Sequence, residues 1–229
     1  MQKVAEPATC IGEWATSSPL QRTAGSIFAP YLNCSSASTS PYPTTISSRC
    51  RGNIVGTPFF LQTGNLSIEI FNGFGIEHLW VEGPWSWQSE VMLNAVDLRD
   101  GPTVLLAGFY TQIGWFLTGE HRPYDRRTGA IDRVIPSENF YRLRADDSSS
   151  SGCGAWEIAF RVSYLDFHDV DNRAAPGTGG DLLNTTVGVN WYWNPYTKVA
   201  ANWIHSFLDN PLAGRSEADA FAVRAQIDF

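Results

Sequence analysis

Long apolar runs are missing from this chain. No stretch of about eighteen apolar residues occurs, so no membrane-spanning helix is expected. Charge is scarce as well: Asp, Glu, Lys and Arg make up 17% of the residues, against about 25% in an ordinary soluble domain. Lysine is nearly absent. Of 16 basic residues only Lys3 and Lys198 are lysine, and the rest are arginine. The net charge of −7 argues against nonspecific nucleic-acid binding. Cys10, Cys34, Cys50 and Cys153 make no C-x-x-C pair and no zinc spacing, and three of them crowd one irregular stretch, so no disulfide framework is inferred. His78, His121 and His168 are too scattered for a metal site, and no cofactor is expected. The first ten residues lack the charged and apolar regions of a signal peptide. Residues 33–50 are rich in Ser, Thr and Pro without period and read as irregular coil. The composition changes near Pro58. Residues 1–56 are therefore expected to be irregular or disordered, with a non-native start, and residues 57–229 to carry the fold.

What is abundant is aromatic: 13% of the chain, with nine Trp. These residues fall on a period of two, which places alternate side chains of a strand on opposite faces. In 218–229, Phe221, Val223, Ala225, Ile227 and Phe229 share one face. In 198–207 it is Val199, Ala201, Trp203 and Phe207; in 184–193 it is Val187, Val189, Trp191 and Trp193. Trp156, Ile158, Phe160 and Val162 alternate with Glu157, Ala159, Arg161 and Ser163. Residues 85–95 and 104–118 follow the same rule, and 66–81 follows it less regularly, with a bend or bulge expected at Asn72-Gly73. About seven antiparallel strands result.

Asn194-Pro195 closes a tight turn, while 208–217 reads as a longer loop. Short turns at one end, longer loops at the other, and Trp and Tyr beside the turn make the pattern of an outer-membrane barrel, because these rings are apolar with one wet polar tip. A soluble β-sandwich binding module also alternates; there the apolar stripe is core. An outer-membrane hydrolase is a third reading, from His205-Ser206 with Asn202, but neighbours on a strand point to opposite faces.

After Gly119 the alternation stops for some 35 residues, too long for an ordinary loop. Over 119–144 six arginines (122, 126, 127, 133, 142, 144) meet four acids (120, 125, 132, 138), a charge of +2 in an acidic chain. On the polar face of the strands, alternation places Arg161, Lys198 and Arg224 with Gln112, Asn190 and Asn202. Glu90 and Glu157 share that face, where they would pair with arginines or weaken a preference for anions.

The run 108–126 (Gly108-Phe109-Tyr110 … Trp115-Phe116-Leu117-Thr118-Gly119-Glu120-His121-Arg122-Pro123-Tyr124-Asp125-Arg126) resembles the signature of the phosphate-selective porin O and P family. So do Gly129-Ala130-Ile131-Asp132-Arg133-Val134, Gly154-Ala155-Trp156-Glu157, Gly188-Val189-Asn190-Trp191-Tyr192-Trp193-Asn194-Pro195 and the closing Ala218–Phe229 run. These motifs spread over 60–229 in family order. The resemblance implies a trimeric, sixteen-stranded transmembrane β-barrel of the bacterial outer membrane that passes small anions, phosphate among them, and is not an enzyme. It implies that long segments fold into the lumen, that outer-membrane lipid surrounds the wall, and that Phe229 is read by the barrel-assembly machinery. Arg122, Arg126, Arg127, Arg133, Arg161, Lys198 and Arg224 are then expected to line the pore, with the 118–134 connection on the periplasmic side. Seven strands fall short of sixteen, so the chain is expected to be the carboxyl-terminal part of such a porin.

Overall fold

Alternating apolar and polar residues favour a pleated strand with two unlike faces over a helix, and the described residues build almost nothing else. The computed structural model describes residues 32–36, 45–52, 59–125, 130–140, 152–171 and 176–228. They form β1 (Leu32–Ser36), β2 (Thr45–Gly52), β3 (Phe59–Glu82), β4 (Trp85–Leu98), β5 (Val104–Phe116), the two-residue pair β6 (Tyr124–Asp125) and β7 (Ala130–Ile131), then β8 (Ala155–Asp166), β9 (Asp181–Asn194), β10 (Thr197–Asn210) and β11 (Gly214–Ile227). One antiparallel sheet of nine strands runs β1-β2-β3-β4-β5-β8-β9-β10-β11, so sequence neighbours are spatial neighbours and β1 and β11 are its edges.

The seven strands from Phe59 onward are those expected from the alternation. Three details differ. Strands β1 and β2 lie where irregular coil is expected, β2 pairing onto the start of β3 and β1 onto β2; the other residues of 1–56 lie outside the described residues. β3 is a single strand of 24 residues. Its register shifts between Ile68 and Ile70 against β4 and at two places against β2, whereas Asn72 and Gly73 stay in plain register with Ala95 and Asn94. The connection after β10 is no long loop: Asn210 pairs with Gly214, and the Asn210 side-chain oxygen accepts from the N–H groups of Leu212 (3.0 Å) and Ala213 (3.1 Å). A side chain that mimics a turn's own hydrogen bonds lets the hairpin close in three residues.

The two faces of the sheet are the reverse of a soluble protein's. Ile113, Phe160 and Trp203 are 44%, 46% and 45% exposed on the outer face, while Gln112, Glu157 and Asn190 on the inner face are 4%, 0% and 1% exposed. A soluble sandwich would bury the apolar stripe and wet the polar one; this arrangement excludes it and suits a wall with lipid outside. The apolar band spans residues 183–193 of β9 and 85–95 of β4, close to the 9–11 residues with which a tilted strand crosses a bilayer. The band is slanted. One row of residues in register, Trp80, Trp87, Ile113, Phe160, Val187, Trp203 and Phe221, crosses the seven long strands. On β3 it marks one border of the apolar band; on β11 it marks the opposite border.

Two rims follow. At the near rim lie the Gly83-Pro84 turn, the Pro195-Tyr196 turn, the end of β11 and the described parts of the 117–154 connection. That connection shares an end with the tight turns, so a division into short turns at one end and long loops at the other does not hold. Tryptophans gather on the outer face here: Trp85 stacks on Trp115 at 5.2 Å and Trp156 on Trp191 at 4.9 Å. Both Trp156 and Trp191 donate their indole N–H to the Cys153 carbonyl, at 3.2 and 2.8 Å. At the far rim, residues 167–171 and 176–180 fold over the inner face beside a 3-10 turn, His168–Val170. The Asp171 carboxylate accepts from the Gly180 N–H at 2.7 Å and the Gly179 N–H donates to the Gln62 carbonyl at 2.8 Å. This loop closes over a cluster of Leu61, Leu106, Leu165, Phe167, Val170 and Leu182, all buried.

Candidate functional site

The near-rim half of the inner face carries the charges. β5 ends at Phe116, and the chain then turns inward rather than out into solvent. The Thr118 hydroxyl accepts from the Trp156 N–H at 3.0 Å and donates to Glu120. Glu120 also accepts from the Ser137 N–H at 3.2 Å, which draws the two ends of the segment together. Burial works to raise the pKa of this carboxyl, but the bonds from Thr118 and Ser137 hold it below the ordinary carboxylate value. Between these ends the Asp132 N–H donates to the Pro123 carbonyl at 2.8 Å, and Tyr124 pairs with Ile131. Val134 seats the segment against Phe116, Ala155 and Tyr192, all buried together on the inner face.

Arg122 is 3% exposed at the centre of this segment. Its guanidinium reaches Glu157 of β8, with Nη2 at 2.7 and 2.8 Å from the two carboxylate oxygens and Nε at 3.2 Å. Glu157 also accepts from the Tyr192 hydroxyl at 2.9 Å and the Asn190 amide at 3.1 Å. Burial disfavours the charge on Arg122, but the adjoining Glu157 carboxylate outweighs it, and the guanidinium pKa lies above its ordinary value. Arg122 is thus fully charged and fully paired. Gly154 makes room for this corner: its φ is +69°, and a Cβ there would run into the Tyr192 carbonyl oxygen.

The other sequence-predicted cations divide. Lys198 stands over the Tyr192 ring at 5.7 Å, so one tyrosine touches both it and Arg122. Arg161 lies 4.1 Å above the Tyr110 ring and donates to Gln112 at 3.5 Å; Gln112 donates on to Gln88, and Gln88 to the Tyr110 hydroxyl, at 2.7 and 3.0 Å. Arg224 donates to Gln226 on the inner side of β11. Among the described residues none of these three cations has a carboxylate in ion-pair contact. Arg133 is set apart: it is exposed and stacks over the Tyr196 ring at 4.5 Å on the near rim, off the inner face. Arg126, Arg127 and Phe229 lie outside the described residues. The part played by Tyr192 and Tyr110 went unread in the sequence; their sign was an aromatic hydroxyl on the otherwise polar face.

His205 points outward, bonded to Asp219 at 2.9 Å, and Asp219 also accepts from the Trp203 indole at 2.9 Å. Ser206 lies on the opposite face, in register with the buried Asn184. This pair gives a hydrolase no nucleophile. Among the described residues no group of His, Cys, Asp and Glu is placed to hold a metal.

A strand wall that is apolar and aromatic outside, and polar and cationic inside, is the wall of a membrane-spanning β-barrel. The family model described as "Phosphate-selective porin O and P" matches residues 60–229. Porin O of Pseudomonas aeruginosa is 28% identical over 165 residues, covering 68% of this chain and 35% of Porin O. An uncharacterized protein of Caulobacter vibrioides is 31% identical over 109 residues, covering 48% of this chain and 20% of its own length. The chain therefore belongs to the phosphate-selective porin O and P family, and it spans about a third of the length of Porin O.

Proposed function

We propose that this chain contributes a cation-bearing wall to an outer-membrane channel through which small anions of the phosphate class diffuse passively. The observation that carries the reading is the set of inner-face cations that have no carboxylate in ion-pair contact among the described residues, Arg161, Lys198 and Arg224. In a lumen walled by low-dielectric protein, an unpaired positive charge lowers the barrier for an anion and raises it for a cation. Amides and hydroxyls of Gln112, Asn190 and Asn202 would replace part of the anion's water. No bond is made or broken, and no catalytic residue is required. Outer-membrane lipid would wet the outer face, and the Trp pairs of the near rim would sit at its headgroups. Recognition of Phe229 by the assembly machinery, a homotrimer and a periplasmic near rim belong to the same reading.

The test is the reversal potential of reconstituted channels under a KCl gradient. An anion-side potential that moves toward the cation side in R161E and K198E is expected, together with reduced chloride conductance on adding inorganic phosphate. A cation-side potential, or one that neither substitution moves, overturns the reading.

A further inference from the structure

Diffusion of anions makes no use of Glu157, yet this acid is completely enclosed on the inner face. Four donor groups from two directions converge on it: Nε and Nη2 of Arg122 from the inward segment, and Tyr192 and Asn190 from β9. The seat beneath the segment is apolar, formed by Val134 with Phe116, Ala155 and Tyr192, and apolar contact alone leaves such a segment free to slide. A planar guanidinium held by both oxygens of one carboxylate fixes direction as well as distance.

We infer that Glu157 is a positioning residue: through Arg122 it clasps the inward segment to the wall at the near rim, and so sets how far that segment reaches into the lumen. The clasp also removes Arg122 from the cations that an anion can meet, which among the inner-face cations described leaves Arg161, Lys198 and Arg224. This inference rests on the reading of the inner face as a channel lumen.

Trypsin reports on the clasp without any channel measurement. Arg133 is exposed, whereas the Arg122-Pro123 bond resists this protease. In the full chain folded in detergent micelles, E157Q keeps the shape and removes the charge. Cleavage after Arg133 is expected to rise at least about tenfold, since it follows the population of the released segment. R122K, which keeps charge but loses the fork, is expected between the two, and the exchange R122E/E157R is expected to return the rate toward wild type. Wild-type cleavage in an E157Q protein with unaltered heat-modifiable mobility overturns the inference. Should E157Q not fold, R122M/E157M replaces the pair by apolar packing. Fast cleavage there supports a positional role for the ion pair, and slow cleavage overturns it. Channel measurements then separate the two readings: E157Q is expected to change single-channel conductance while keeping the sign of the reversal potential. Rapid cleavage of E157Q beside a cation-side potential sinks the anion channel and leaves the clasp standing. An anion-side potential beside unchanged cleavage does the reverse.

Discussion

The inner face has two halves of opposite chemistry. Toward the near rim it carries Gln88, Gln112, Glu157, Arg161 and Asn190, tied into hydrogen-bonded networks, with Lys198 over the Tyr192 ring. Toward the far rim the same alternate positions carry Met92, Val96, Val104, Leu106, Leu165 and Leu182, roofed by Phe167 and Val170. Strand parity is identical in both halves. A lumen-facing position is thus not polar by rule; it is polar where nothing apolar folds onto it, and apolar where a loop or an overhanging strand provides a partner. The near-rim half is held by directional bonds, the far-rim half by exclusion of water.

The sharpest break in that comparison is Arg122→Met. It leaves the enclosed Glu157 without its counter-ion and is expected to cost about 3–5 kcal/mol, whereas R122M/E157M is expected to lie near wild type; urea midpoints of the micelle-folded chain measure both. Leu182→Ala, 1% exposed in the far half, is expected to cost about 2–5 kcal/mol through lost burial and the cavity left behind. Asn202→Ala on the polar half is expected to cost about 1 kcal/mol or less by the same measurement. Gly180 has φ of +98°, and a Cβ there would strike the Asp209 carbonyl oxygen. Gly180→Ala is expected to cost about 1–3 kcal/mol and to loosen the far-rim roof, seen as faster hydrogen exchange at the Phe167 amide.

The smallest effect is on pH. His168 bonds Asp171 and Asp181, each at 3.2 Å. The Asp171 bond raises its pKa, partial burial opposes this, and the charges of Asp171, Asp166 and Asp181 add to the rise. A raised folded pKa means that the contribution is fully present below the unfolded value of about 6.5 and is lost as pH climbs through the folded one. Exchange at the Phe167 and Gly180 amides, corrected for its intrinsic pH dependence, is expected to quicken across that interval, and D171N to remove the dependence.

Much of the wall was legible in the sequence because strand alternation is local. Every outer-face residue from Trp85 to Val223 follows from counting by two. The far-rim cluster was not legible. Met92 falls among polar neighbours, and nothing in 167–180 says that Phe167 and Val170 fold back over it; that depends on contacts between distant strands. The three-residue turn at 211–213 was hidden for a related reason, since an Asn side chain standing in for backbone looks like any loop residue. Of the candidate cations, Arg161, Lys198 and Arg224 sit on strands, where parity alone assigns each a face. The neutralising of Arg122 by Glu157, from a connection whose path has no period, could be stated only as a general pairing of acids with arginines.

The slant of the apolar band has a geometric consequence. Along the row from Trp80 to Phe221, the near border moves from Trp80 on β3 to Ile227 on β11, which is 227 − 221 = 6 residues; the far border moves from Ile70 to Phe221, which is 80 − 70 = 10 residues. At about 3.3 Å per residue and six spacings of about 4.8 Å, the strands lean by about 35–50° from the bilayer normal, which includes the lean at which strands close into a cylinder. Each strand therefore enters the bilayer one to two residues ahead of its neighbour, like the treads of a spiral stair. Carried around a closed wall, that offset adds up to the barrel's shear.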